Sequence, residues 1–237
     1  MVAMAIMVSS FRMSVDDWLQ QLLSADLYVR TATGGENGVL QAAEQTQVAA
    51  IAGVVRAEKS RNLSLTLDPA RPPVALIARS ANSEVVERVL PLVGPSIAGL
   101  ARPVWISEAM VDIYGWQPGQ QVMLPIGMQR HPFIVAGVWR DYARQSGALQ
   151  IRLPDYQLLS GDLTVNDMGL WVKSEHSTTQ VRQQLAALPF GSTLEFAEPG
   201  EIRAISLKIF DRSFVVTYLL EGVAMIIGLF GVAATFS

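Results

Sequence analysis

Between Phe214 and Phe236 nearly every side chain is apolar, with Val215, Val216, Leu219, Leu220, Val223, Ile226, Ile227, Leu229 and Phe230 among them. A run of about 23 residues makes a helix of about 35 Å, enough to cross a hydrocarbon core of roughly 30 Å. Buried helices of soluble proteins are usually shorter and keep a polar face. The run therefore predicts a transmembrane helix. Gly222, Gly228 and Gly231 leave flat spots where another helix can approach. The one charge is Glu221, about two turns in. A carboxylate there faces protein, water or a cation, or else snorkels to the headgroups. The run stops at Ser237 without a basic flank, which predicts a piece of a larger membrane protein.

One span added to an ordinary folded domain accounts for the rest of the composition. The 237 residues are 50% hydrophobic and 16% charged, with mean hydropathy +0.30. A soluble domain usually carries about a quarter charged residues. A net charge of −3 argues against a nucleic-acid surface, which needs clustered Lys and Arg. No cysteine is present, so a disulfide framework and thiolate chemistry are excluded.

At the other end, Met1 to Val8 is apolar but too short to span, and it lacks the basic start and cleavage site of a signal peptide. It suits the end of a first transmembrane helix, over 1–13, with Arg12 at the bilayer exit. Ser14 can cap a new helix, with Asp16 and Asp17 at its positive end and Trp18, Leu19, Leu22 and Leu23 as its stripe. Asp26 to Arg30 alternates as a strand does. Thr31 to Gly38 is a loop without the spacing of a dinucleotide fingerprint. A helix over 39–52 and strands over 54–57, 63–67 and 74–78 follow. Further on come a helix over 81–89 and a Gly- and Pro-containing connector over 91–102. The stretch 104–114 starts extended and becomes helical until Gly115. Strands are predicted at 121–126, 133–142, 148–152, 170–173 and 194–197, and helices at 154–159 and 177–188. Pro199-Gly200 marks a domain end, and Glu201 to Arg212 is amphipathic, as an interfacial helix is.

No catalytic constellation emerges. The lysines are Lys59, Lys173 and Lys208, and none follows a glycine, so no P-loop is present. The two histidines, His131 and His176, sit in polar turn contexts away from any activated serine. Ser96 lies outside a nucleophile elbow. Asp141-Tyr142-Ala143-Arg144 reads as a hairpin tip. The sequence names no catalytic, cofactor-binding or metal-binding residue, and the chain is expected to be no enzyme and to need no cofactor.

Three stretches carry a resemblance. Ser10-Phe-Arg-Met-Ser-Val-Asp-Asp-Trp-Leu with Ala25 to Val29 comes first. Val104 to Met110, Gly119 to Pro125 and Phe133 to Tyr142 come next, and Ser206 to Phe214 leads into the glycine-containing run. Together they resemble the FtsX-like, MacB-like permeases of ABC transporters. The resemblance implies an α+β fold: a periplasmic two-subdomain core over 14–200, in which a βαβ porter-like unit carries an inserted β-rich subdomain at about 102–165. An interfacial helix and a C-terminal transmembrane helix would fill 201–237. It also implies the inner (plasma) membrane, with the domain between the spans in the periplasm. The implied partners are the ATP-binding subunit of an ABC transporter, the lipid bilayer and a second permease in a dimer, with no nucleic acid. ATP-driven movement would then act on a lipoprotein, peptide or hydrophobic substrate. A second reading of the same pattern is the extracytoplasmic sensor domain of a two-span receptor. A third is a membrane-anchored enzyme, which would need convergent polar residues in a pocket.

Overall fold

A computed structural model describes the backbone of residues 2–80 and 83–235; side chains at 2–5, 83–85, 210, 213–214, 216–218, 220–221, 224 and 228–235 lie outside the described set. In chain order the elements are α1 (Val2–Leu22), β1 (Leu27–Thr31), α2 (Ala42–Ala49), β2 (Val54–Leu65), β3 (Val74–Arg79), α3 (Ser83–Val89), β4 (Pro103–Ser107) and α4 (Glu108–Tyr114). Then come β5 (Gln121–Ile126), β6 (Gln129–Trp139), β7 (Ala148–Arg152), α5 (Leu153–Ser160), β8 (Asp167–Val172), α6 (Thr178–Ala186), β9 (Leu194–Ala197) and α7 (Pro199–Thr235). They divide into two bodies, Gln21–Pro199 and a helical one made of Met1–Gln20 with Gly200–Ser237.

In the larger body all nine strands form one sheet, in the order β5-β6-β4-β7-β3-β2-β8-β1-β9. β8 lies between β1 and β2 and runs antiparallel to both. β1 lies between β8 and β9 and is antiparallel to both. Two split β-α-β units, β1-α2-β2 and β8-α6-β9, are therefore interleaved, which is the ferredoxin-like arrangement. The mixed α and β architecture expected from the sequence is present.

Everything from β3 to α5 is inserted between β2 and β8. The stretch expected as an inserted unit, 102–165, holds β4 to β7. These strands stand together at one end, and a parallel ladder joins β7 to β3, from Ala75↔Ala148 to Arg79↔Arg152. One apolar cluster runs from Leu27 and Leu170 at one end to Leu124 and Phe133 at the other. The insertion lengthens the sheet because the first four residues of β7 are all buried, and a strand so enclosed needs neighbours on both edges. A second cluster, built on Ile77, Val86, Leu90, Trp105 and Trp139, covers the opposite face over the inserted strands only.

Three local expectations change. The two strands predicted at 54–57 and 63–67 are one, β2, because Arg61 and Asn62 stay in the ladder: residues 54–60 pair with β8 and 60–65 with β3. Ser14 does not start a helix; it lies inside α1 and donates back to the Ser10 carbonyl at 3.0 Å. The larger body ends at Pro199, and no break sets Glu201 to Arg212 apart from the run that follows. Proline suits a first helical turn, and α7 continues from it for 37 residues, about 55 Å.

The helical body pairs α1 with α7. Arg12 Nε lies 2.9 Å from Asp211 Oδ1, and Arg203 Nε lies 2.8 Å from Asp16 Oδ1. The number rises on one helix as it falls on the other, so the two run antiparallel. Buried Val8, Val15 and Leu19 share the α1 face that carries Arg12 and Asp16. Among the described residues no helix is long and apolar enough to cross a membrane. The predicted span, Phe214 to Phe236, falls largely on side chains outside the described set.

Candidate functional site

Alternation along a strand sends neighbouring side chains to opposite faces. In β1, β2, β8 and β9 one set, including Leu27, Val29, Met168, Leu170 and Leu194, enters the large core. The other set is polar. Register places Glu195 opposite Arg30, Arg30 opposite Asp167, Asp167 opposite Ser60, and Ser60 opposite Arg79. A row of charges thus crosses the sheet. Arg30 Nε bonds Glu195 Oε2 at 3.1 Å. One step along, Arg56 stacks on Trp171, 4.2 Å from the ring centre.

Burial tunes the middle of this row. Asp167 is pushed up from the ordinary carboxylate range by desolvation, against the pull of Arg30, a hydrogen bond from Asn62 and the charge of Arg79. Desolvation also pushes Arg79 down, opposed by Tyr28 and Glu58.

Beside Arg30 and Asp167 the Thr31–Gly38 loop borders a cavity of about 300 Å³ that Arg30, Glu36, Asn62, Ser64 and Asp167 help to line. Asn166, 6% exposed, ties the loop down. Its Nδ2 donates to the carbonyls of Gly35 and Gly38 at 3.2 and 2.9 Å. Its Oδ1 accepts from Arg61 and from the Asn62 backbone N–H. Arg61 also donates to the Glu36 carbonyl and, through Nε, to Asp162 at 2.9 Å. The loop closes on itself so tightly that a Cβ at Gly38 would lie 1.6 Å from the Thr33 carbonyl oxygen. Burial alone would raise Asp162. Hydrogen bonds from Thr164 (side chain and backbone), Arg61 and Tyr156 outweigh it and hold this carboxyl at about 2.

The residues singled out from the sequence lie elsewhere. His131 faces Leu124 across the β5–β6 pair. The half-buried ring of His176 packs on Gly53, with Nδ1 unpartnered. Asp141 is self-contained, accepting from the Ala143 N–H and from Arg144. Ser96 donates to Glu87 and accepts from Trp105 Nε1. Asp16 sits mid-helix, paired with Arg203 rather than at a helix start. The Glu221 side chain lies outside the described set. None of these gathers into a site. Among the described residues no group of three or more His, Asp or Glu could hold a metal. Sequence reading passed over the cavity; its one local signal was a glycine-rich polar loop facing the Asn166-Asp167 dipeptide. What the arrangement offers is polar binding, with no paired nucleophile and base.

No family model matches the chain. An uncharacterized ABC transporter permease protein of Mycobacterium tuberculosis is 27% identical over 245 residues, covering 98% of this chain. The chain spans 28% of that relative's length. Among solved structures, the periplasmic region of MacB from Actinobacillus actinomycetemcomitans superposes with TM-score 0.54 at 14% identity, over 79% of this chain and 94% of that one. The extracellular domain of the noncanonic ABC-type transporter YknZ from Gram-positive bacteria gives TM-score 0.52 at 13% identity, over 73% and 99%. The resemblance drawn from the residues therefore holds on two levels: sequence shared with an ABC transporter permease, and the fold of MacB and YknZ domains outside the membrane.

Proposed function

We propose that this chain is the extracytoplasmic core and flanking helices of an ABC transporter permease of the inner (plasma) membrane. The alignment with a permease along 98% of the chain carries the reading. In it, α1 and α7 are the lower parts of two spans, 1–13 and 201–237 lie in or against lipid, and an ATP-binding subunit works from the cytoplasmic side of a permease dimer. The chain moves a lipoprotein, peptide or hydrophobic substrate rather than transforming one.

Chain connectivity supports a mechanical role. Four residues link α1 to β1, and Glu198 alone links β9 to α7. β1 and β9 are hydrogen-bonded neighbours. The first link is held to β8: Asp26 N–H donates to the Leu170 carbonyl at 3.0 Å, and Asp26 Oδ2 accepts from the Val172 N–H at 2.8 Å. Links this short carry displacement from the helices to the two strands with little slack.

The test is the full-length protein reconstituted in liposomes with the ATPase of its own gene neighbourhood. Inserting four glycines after Glu198 is expected to leave basal ATP hydrolysis intact and to abolish its coupling to substrate movement. A protein that forms no complex with any such ATPase overturns the reading.

A further inference from the structure

The face of α7 turned away from α1 carries two cations that no described carboxylate answers. Arg203 and Asp211 face α1, since they pair with Asp16 and Arg12. At about 100° per residue, Lys208 and Arg212 lie about 140° and 180° round the helix from Arg203. Both are exposed, and among the described residues neither has an ion-pair partner. Ile205, Ile209, Val215 and Leu219 share that half of the helix and are 59–67% exposed. The nearest acid on the same half, Glu201, lies about 10 Å before Lys208 along the axis.

We propose that this face holds an anionic phospholipid, with Lys208 and Arg212 on the headgroup phosphate and the apolar side chains along the acyl chains. The proposal rests on the bilayer reading of 201–237 and names the lipid met there. The order along the helix fits it: the cations come first, and the apolar run begins within a turn of Arg212, at Phe214. A phosphate lies at that level, just outside the hydrocarbon. The long stems of Lys and Arg reach it while their methylenes stay against apolar surface. Lys brings a point charge and Arg a planar fork of donors, and both suit phosphate oxygens. General attraction does not supply such a preference, because the chain as a whole carries a net charge of −3 and is repelled by an anionic surface. An acidic peptide would answer the two cations but not the exposed apolar side chains that continue to Ile227.

Partition of the full chain into vesicles tests the proposal, with phosphatidylcholine alone and an equal mixture of phosphatidylcholine and phosphatidylglycerol as probes. The mixture should bind at least tenfold more tightly, since each cation near an anionic surface contributes about fivefold. Lys208→Gln with Arg212→Gln should erase that preference and leave partition into phosphatidylcholine unchanged. Lys208→Arg with Arg212→Lys should keep it. So should Arg140→Gln with Lys173→Gln, which removes the same charge from the sheet body, where both cations are paired. An undiminished preference in the folded Lys208→Gln, Arg212→Gln chain, or an equal loss in the sheet-body control, overturns the proposal. So does release from the mixture by inorganic phosphate at about 10 mM, which would assign the pair to free phosphate. Equal partition of wild type into both vesicles, the result expected if the cations meet a protein, overturns this proposal and leaves the bilayer reading standing. Binding to neither vesicle overturns both.

Discussion

The two bodies place the same kinds of residue in opposite ways. In Gln21–Pro199 the large apolar side chains turn inward: Trp105 and Phe133 have no exposed surface, and Trp139 has 1%. In the helical body Ile209, Leu219 and Ile227 are each more than 60% exposed. Water sorts the residues of the first body, since each large apolar side chain buried there gains roughly 1.5–3 kcal/mol. It sorts those of the second only in part: Val8, Val15 and Leu19 are buried there, beside the ion pairs Arg12–Asp211 and Asp16–Arg203. Outward apolar faces on a 37-residue helix call for a non-aqueous surrounding, which accords with the proposed bilayer.

That contrast is broken most sharply by removing a residue from each side. Trp105→Ala empties a fully buried site on β4, a strand whose five residues are all buried. It should cost about 3–5 kcal/mol in denaturant unfolding of the purified chain. Ile209→Ser should change unfolding by less than about 0.5 kcal/mol yet weaken partition into liposomes. If the serine variant unfolds as readily as the alanine one, the helical body is organised by burial after all.

A second measurement sharpens the contrast within the sheet body, where a polar centre replaces apolar packing. Asp162→Asn weakens the tie to Arg61, Tyr156 and Thr164 and should cost about 1–2 kcal/mol at neutral pH, allowing for the partial exposure of Asp162. The folded carboxyl is held at about 2 against an ordinary 3.8. Its contribution is therefore complete above the ordinary value and is lost as pH falls through the depressed one. Wild type and variant should converge between pH 4 and 2. Parallel curves across that window would mean the carboxylate charge does not hold this network.

What the sequence made legible is local. Gly115 was expected to end a helix, and it caps α4 in the left-handed conformation at φ 68°. Ser177 or Thr178 was expected to begin one, and it is the Ser177 hydroxyl that accepts from the Gln180 N–H. What stayed hidden is pairing over distance. β8 slips between β1 and β2 although more than 100 residues separate β2 from β8, and nothing in the pattern of either strand names its partner. The cavity was invisible for the same reason: Asn166 reaches across to Gly35 and Gly38, and only the ladder brings them together. Continuity failed in the other direction. Ser14 has the chemistry of a helix start, yet α1 runs on through it.

The smallest effect lies in the ion pairs of the helical body. Asp16 and Arg203 keep 27% and 36% side-chain exposure, and Arg12 and Asp211 about half. Pairs so open to solvent contribute roughly 0.2–1 kcal/mol in double-mutant cycles. The cycle of Asp16→Asn and Arg203→Gln should return a coupling in that range, and 1 M salt should screen it. The charge swap Asp16→Arg with Arg203→Asp should restore most of what either reversal removes alone, because the antiparallel register leaves the two groups facing each other. A coupling of several kcal/mol would place the pair in a low-dielectric setting, and the helical body would then be held as firmly by its charges as the sheet body is by its tryptophans.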